Sequence, residues 1–179
     1  MTDSLLTQSN ADAASPPLVP ERLADAPIVD AFIDAIFGPG RFVKTAERLR
    51  EGNTPIPGLS FVCWRGHDLI GCVRQWPILI GGEPVVFLGP FGVEPGQRSL
   101  GLGAKLIARA VEAAQAAGHG AILLVGDAPY FEPLGFEVVP AGRISLPGPV
   151  DPRRVLWRAL KPGGVDGLNG AVTKPDQKR

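Results

Sequence analysis

Apolar residues along the chain follow two rhythms. Ile28, Val29, Phe32, Ile33, Ile36 and Phe37 recur with the period of one helix face; Pro27 suits the first turn, Asp25 the cap and Gly38 the stop. A second, short helix is predicted over residues 43–51, ended by Gly52. The pattern then changes. Residues 59–64, 69–80 and 83–93 are apolar and β-prone, separated by turns at Arg65-Gly66-His67-Asp68 and Gly81-Gly82, which predicts an antiparallel meander. The third segment is apolar throughout after its start, as expected of a strand covered on both faces. Gly89-Pro90 interrupts it, and because proline cannot donate to a ladder, the strand must bulge or part from a neighbour there. The clearest helix runs over residues 99–117, with Leu102, Leu106, Ile107, Ala110, Val111 and Ala114 on one stripe and Gly118 as its stop. Residues 121–126 then read as a short buried strand, parallel to the strand before the helix in a right-handed βαβ unit.

Shorter signals complete the outline. A first strand fits residues 17–22, a short helix residues 129–132, and final strands residues 136–139 and 155–160. Residues 1–15 read as a disordered leader and 161–179 as a flexible C-terminal tail, leaving one domain over 16–160. Hydrophobic residues make up 45% of the sequence, enough for a core, while the 18 basic and 18 acidic residues cancel. That balance removes the electrostatic argument for nucleic acid or an anionic membrane surface. The N-terminus lacks a secretory signal pattern and no apolar run reaches the ~20 residues of a membrane span, so the expectation is a cytoplasmic protein. Its two cysteines, Cys63 and Cys72, read either as small core residues or as a pair brought together across a hairpin.

One segment carries candidate chemistry. Residues 93–105 join a buried strand to the best helix. A helix start leaves backbone N–H groups without partners and carries the positive end of the dipole. Gly101 and Gly103 remove side chains where a phosphate would approach the backbone, and Arg98 adds a cation. This is an anion cradle suited to a diphosphate, or, on the plainer reading, a site of close helix-to-sheet packing. Neither a phosphate loop ending in Gly-Lys-Ser/Thr nor a Gly-x-Gly-x-x-Gly pattern is present, position 106 being Leu.

The spacing Arg98-x-x-Gly101-x-Gly103, preceded by Val93-Glu94-Pro95 and followed by Tyr130-Phe131-Glu132-Pro133-Leu134-Gly135-Phe136, resembles the GNAT superfamily of acetyl-coenzyme-A-dependent N-acetyltransferases. The element order over residues 17–160 agrees. The resemblance implies an α/β (α+β) fold with a mixed, mostly antiparallel central sheet, splayed central strands and flanking helices. It implies acetyl-CoA as co-substrate with no metal, the pantetheine arm meeting Phe91, Gly92 and Val93, and the diphosphate held by Arg98, Ser99, Leu100, Gly101, Leu102, Gly103 and Ala104. Phe131 also joins the cofactor-binding set. The acetyl group would pass by direct attack of a primary amine on a small molecule or peptide; similar proteins often form homodimers.

Two positions depart from the usual family pattern. The carboxylate that many members carry four residues before the signature valine is Gly89 here, and the tyrosine four residues before Gly135 is Phe131. Tyr130, one step away, either substitutes as the acid or packs structurally. Asp127 either accepts a proton through water or caps the helix that follows it. These departures keep open a second class of function, a non-catalytic acetyl-CoA-binding sensor or regulatory module.

Overall fold

The computed structural model describes residues 16–176 and, for Ser99 and Leu100, the backbone alone. Strands β1 (Leu18–Pro20), β2 (Phe61–Arg65), β3 (Asp68–Ile80), β4 (Glu83–Val93), β5 (Ala121–Val125), β6 (Glu137–Val138), β7 (Ile144–Ser145), β8 (Val155–Ala159) and β9 (Gly170–Thr173) surround helices α1 (Ala26–Phe37), α2 (Thr45–Arg48), α3 (Leu102–Ala116) and α4 (Ala128–Phe131). The main sheet runs β1-β2-β3-β4-β5-β8-β6. Every described pairing along it is antiparallel except β4 with β5, which is parallel across the α3 crossover. This is the mixed, mostly antiparallel sheet that the sequence predicts.

The period-2 alternation of the strands sorts the core into two layers. Val86 and Leu88 of β4 and Ile122 and Leu124 of β5 face α3, whose predicted stripe from Leu102 to Ala114 is buried against them. Val85 and Phe87 of β4 and Leu123 of β5 face the other way, onto Trp76, Ile78, Val155 and Trp157. Helix α1 buries Val29 and Ile33 against Val62, Leu69 and Cys72. Gly92 lets it approach β4 closely: a Cβ there would lie 3.0 Å from Ile36 Cδ1 and 3.4 Å from Phe32 Cε1.

The structure corrects several expectations. The chain after residue 161 is not a loose tail: β9 pairs with β3 at Leu79 and Ile80 and with β7, and Leu168 and Val172 are buried. Apolar side chains two to four apart in a glycine-rich segment supply that anchor. The predicted leader over residues 1–15 lies outside the described residues. Helix α3 starts at Leu102 rather than Ser99, because a 3-10 turn over Pro95–Leu100 intervenes and Gly101 turns left-handed at φ 73°. Asp25 does not cap α1 with its side chain; it accepts instead from the Arg22 amide and guanidinium, closing the preceding turn. Asp127 likewise caps α4 through its backbone carbonyl, which accepts from the amides of Tyr130 and Phe131, and not through its carboxylate.

Register resolves the cysteines. Cys63 stands opposite Gly71, and Cys72 opposite Val62, so the two side chains fall on opposite faces of the sheet, Cys63 toward α3 and Cys72 toward α1. Burial raises both thiols, Cys72 to about 12. We therefore expect neither to react with an aromatic disulfide reagent at pH 8 in the native protein, and both to react on unfolding; rapid labelling of either one in native buffer would contradict this packing. Among the described residues no helix is long and apolar enough to cross a membrane.

Candidate active site

The site begins with a strand that loses its neighbour. Strands β4 and β5 pair only at Val86–Ile122 and Phe87–Leu123. Beyond Phe87 the register against β3 slips: Gln75 faces Leu88 but Val73 faces Phe91, so Gly89 and Pro90 are accommodated against the single residue Arg74. The Trp76 indole N–H donates to the Gly89 carbonyl at 2.6 Å and fixes the bulge. The distortion expected from the sequence is thus where Gly89-Pro90 places it, and β5 continues on β8 while β4 leans away with β3.

After the bulge β4 is regular again. The Glu94 amide donates to the Ile70 carbonyl at 2.9 Å. Antiparallel alternation then turns the backbone polar groups of Phe91 and Val93 away from β3, into the gap vacated by β5. Arg98 reaches back to accept this frame, its Nε–H donating to the Val93 carbonyl at 3.2 Å. Next to it, the amides of Leu102, Gly103 and Ala104 are the first of α3, ahead of the bond from the Lys105 amide to the Gly101 carbonyl.

The two signature glycines have different jobs. Gly101 is required by its positive φ, and a Cβ there would meet nothing within 4 Å. Gly103 is required by space: a Cβ would lie 2.9 Å from Phe91 Cζ and closer still to the Tyr130 hydroxyl. Phe91 and Tyr130 stack over it with ring centroids 6.0 Å apart. Tyr130 is 42% exposed, and partial burial raises its phenol above the ordinary value, so it stays protonated at neutral pH. Phe131, by contrast, is buried. It packs edge-on against Phe136 and closes over Gly126, so its ring belongs to the core beneath the gap.

These parts line one cavity of about 730 Å³. Of the sequence-predicted residues it gathers Phe91, Val93, Arg98, Gly103, Asp127, Tyr130 and Phe131. Gly92 instead faces α1, and Gly101, Leu102 and Ala104 stand at the helix start without lining the cavity. Of Ser99 and Leu100 only the backbone turn is described. Asp127 sits exposed at the mouth, paired with Arg154 at 3.2 Å.

The far wall carries charges that were not legible in the sequence. It consists of Phe37, Arg41, Lys44, Thr45 and Arg50, together with the segment from Pro149 to Asp151. Thr45 Oγ1 donates to the Pro149 carbonyl at 2.5 Å and Arg48 to the Pro147 carbonyl at 2.6 Å, which clasps α2 to this loop. Residues 52–57 do not line the cavity, and Trp76 serves the bulge.

Comparison with known proteins supplies the context for this geometry. A family model described as acetyltransferase (GNAT) family matches residues 31–136. Over 150 residues, 83% of this chain and 89% of the relative, the sequence is 25% identical to the Escherichia coli (strain K12) protein named uncharacterized N-acetyltransferase YhbS. The fold is similar to the crystal structure of the E. coli GNAT family N-acetyltransferase YhbS in complex with CoA, with a TM-score of 0.78, 23% identity and 93% of each chain covered. It is also similar to a GNAT family acetyltransferase from Brucella melitensis in complex with acetyl-CoA, with a TM-score of 0.59, 25% identity, and coverage of 78% of this chain and 93% of that one.

Proposed function

The chain belongs to the GNAT acetyltransferase family, and on that premise we propose that it moves an acetyl group from acetyl-CoA to a primary amine by direct attack. The observation that carries this reading is the parting of β4 from β5 beyond Phe87, beside a helix start whose second glycine lines the cavity under Phe91 and Tyr130. Acetyl-CoA, when bound, supplies a thioester activated toward amines. The chain's own groups do the rest. The α3 amides and Arg98 hold a diphosphate at the helix start. The outward backbone groups of Phe91 and Val93 orient the arm in the gap, and one of their N–H groups polarises the thioester carbonyl. Tyr130, protonated and lining the same cavity, is the proton donor available to the departing sulfur. It takes the part that Phe131, turned into the core, does not.

Positioning of this kind contributes roughly 7–11 kcal/mol, against about 3–5 kcal/mol for one acid or base, so the missing carboxylate at Gly89 slows the reaction without abolishing it. The absence leaves a mark on the pH profile. An alkylamine of pKa near ~10 must lose its proton unaided, so its reactive fraction rises about tenfold per pH unit below that value. The raised Tyr130 pKa keeps the acid loaded over the same range. We expect kcat/KM for an alkylamine to climb from pH 6 to 9 with slope near one; a flat profile would reveal a base elsewhere.

A second reading rests on Gly89 and Phe131, which lack both side chains commonly used for proton transfer: a module that binds acetyl-CoA without turning it over. Mass spectrometry with isotopically labelled acetyl-CoA and a library of primary amines separates the two. Label appearing on an amine in a single turnover supports the transferase; tight binding with no transfer supports the sensor.

A further inference from the structure

The cavity wall facing the cofactor cradle is basic, the carboxylates that meet its arginines, Asp34 and Glu47, standing behind the lining. Arg41, Lys44, Arg50, Arg98 and Arg154 line the cavity, against only two carboxylates. Both carboxylates are engaged: Asp127 pairs with Arg154, and Asp151 caps the turn after it and pairs with Arg153. Arg98 belongs to the cradle through Val93. This leaves Arg41, Lys44 and Arg50 at the acceptor end.

Arg50 is the distinctive member. Its side chain is 13% exposed, and its one carboxylate contact is a Glu47 oxygen that NH1 shares with Arg41, each at 3.3 Å, whereas Arg41 is also held by Asp34 at 2.6 Å. Its Nε is buried with no hydrogen-bond partner among the described residues. Its NH2 points at the bare Cα of Gly89: a Cβ there would sit 3.0 Å from that nitrogen. The space that a side chain at position 89 would fill is therefore held by a cation. Burial lowers the Arg50 pKa to about 10, Glu47 offsetting only part of the cost, and the guanidinium lies over the Phe87 ring at 5.2 Å.

Resting on the acetyl-transfer reading above, we propose that the acceptor is a small amine carrying its own anionic group, a carboxylate or phosphate, which docks on the Arg50 guanidinium where it lines the cavity beside Gly89. The same field serves the chemistry. A protonated amine finds no unengaged carboxylate on this wall, so the site favours the neutral amine while the anion a few bonds away supplies the binding energy.

The test is acetylation by the full chain of matched amines: glycine, β-alanine and O-phosphoethanolamine against glycinamide and ethanolamine, extended to a library of both kinds. With each kcat/KM referred to the unprotonated fraction of its amine, we expect anionic acceptors to exceed their neutral counterparts by about 10–100-fold, the worth of one charge-assisted pair. The carboxylate and phosphate arms identify which anion fits. Arg50→Gln should collapse that ratio toward one, and Arg50→Lys should restore part of it, with coenzyme A titration confirming a folded cofactor site in each variant. Neutral amines acetylated as well as anionic ones by the unmodified chain would overturn the inference while the transferase reading stood, even if neither variant folded. An unchanged ratio in Arg50→Gln would overturn it too. Coenzyme A binding with no transfer to any amine would remove the transferase reading, and this inference with it.

Discussion

Arg74→Met is expected to cost about 3–5 kcal/mol of folding stability, the usual penalty for stripping one partner from a buried ion pair. Arg74 lies on β3 with 8% of its side chain exposed, and so does its main partner Glu21. The contact is bidentate, Nε at 2.9 Å and NH2 at 2.5 Å from the carboxylate, and NH1 adds a bond to Asp30 at 2.6 Å. Methionine fills the stem's volume but leaves Glu21 as an uncompensated charge in a dry site. Against a typical total of about 5–15 kcal/mol, that is a large share of the fold's stability. Unfolding in urea should show the loss as a lower midpoint with unchanged slope. Pairing the change with Glu21→Gln should recover most of it, since the stranded charge is then gone. A loss under about 1 kcal/mol would mean water reaches Glu21 and the pair is worth no more than a surface bridge. The effect would extend to the site, because Asp30 belongs to α1, which lies over Gly92 and contributes Phe37 to the cavity wall.

Gly103→Val should leave the fold nearly intact and weaken coenzyme A binding by about 10²–10⁴-fold, equivalent to two charge-assisted bonds. The nearest atoms to its Cβ are the tips of Tyr130 and Phe91, and both rings border the cavity into which they can swing. The new side chain then stands over the first amides of α3, where a diphosphate would approach. Gly101→Ala is the informative contrast. Its position is open but left-handed, so the cost is roughly 1–2 kcal/mol of backbone strain and little obstruction. Calorimetry with both variants should show binding lost in the first and largely kept in the second. Affinity within threefold of the parent in Gly103→Val would remove the cradle from the reading.

What was legible in the sequence follows from what repeats. The α3 stripe and the alternating strands write the core into a periodic pattern, and the meander, the crossover and the order of the elements followed from it. The gap was legible because proline at position 90 forbids a ladder bond locally. The acceptor wall was not. Arg41, Lys44 and Arg50 sit in short turns with no period, and their meeting with Pro149 and Val150 depends on contacts about a hundred residues apart in the chain. Residues 161–173 were misread for a related reason: Leu168 and Val172 are too few among glycines to announce a strand, and only the exposed end of β3 gives them a place. The two glycines of the signature were read as equivalent, and it takes the backbone angle at Gly101 and the rings packed on Gly103 to separate their roles.

The hydrogen bond from Trp76 to the Gly89 carbonyl gives the protein an intrinsic optical reporter. The indole is almost wholly enclosed, yet its one polar atom is tied to the bulge bordering the cleft. Any occupant that nudges the bulge alters the polarity sensed by that ring, so occupancy can be followed in the emission of the native chain, with Trp76→Phe identifying which of the three indoles responds.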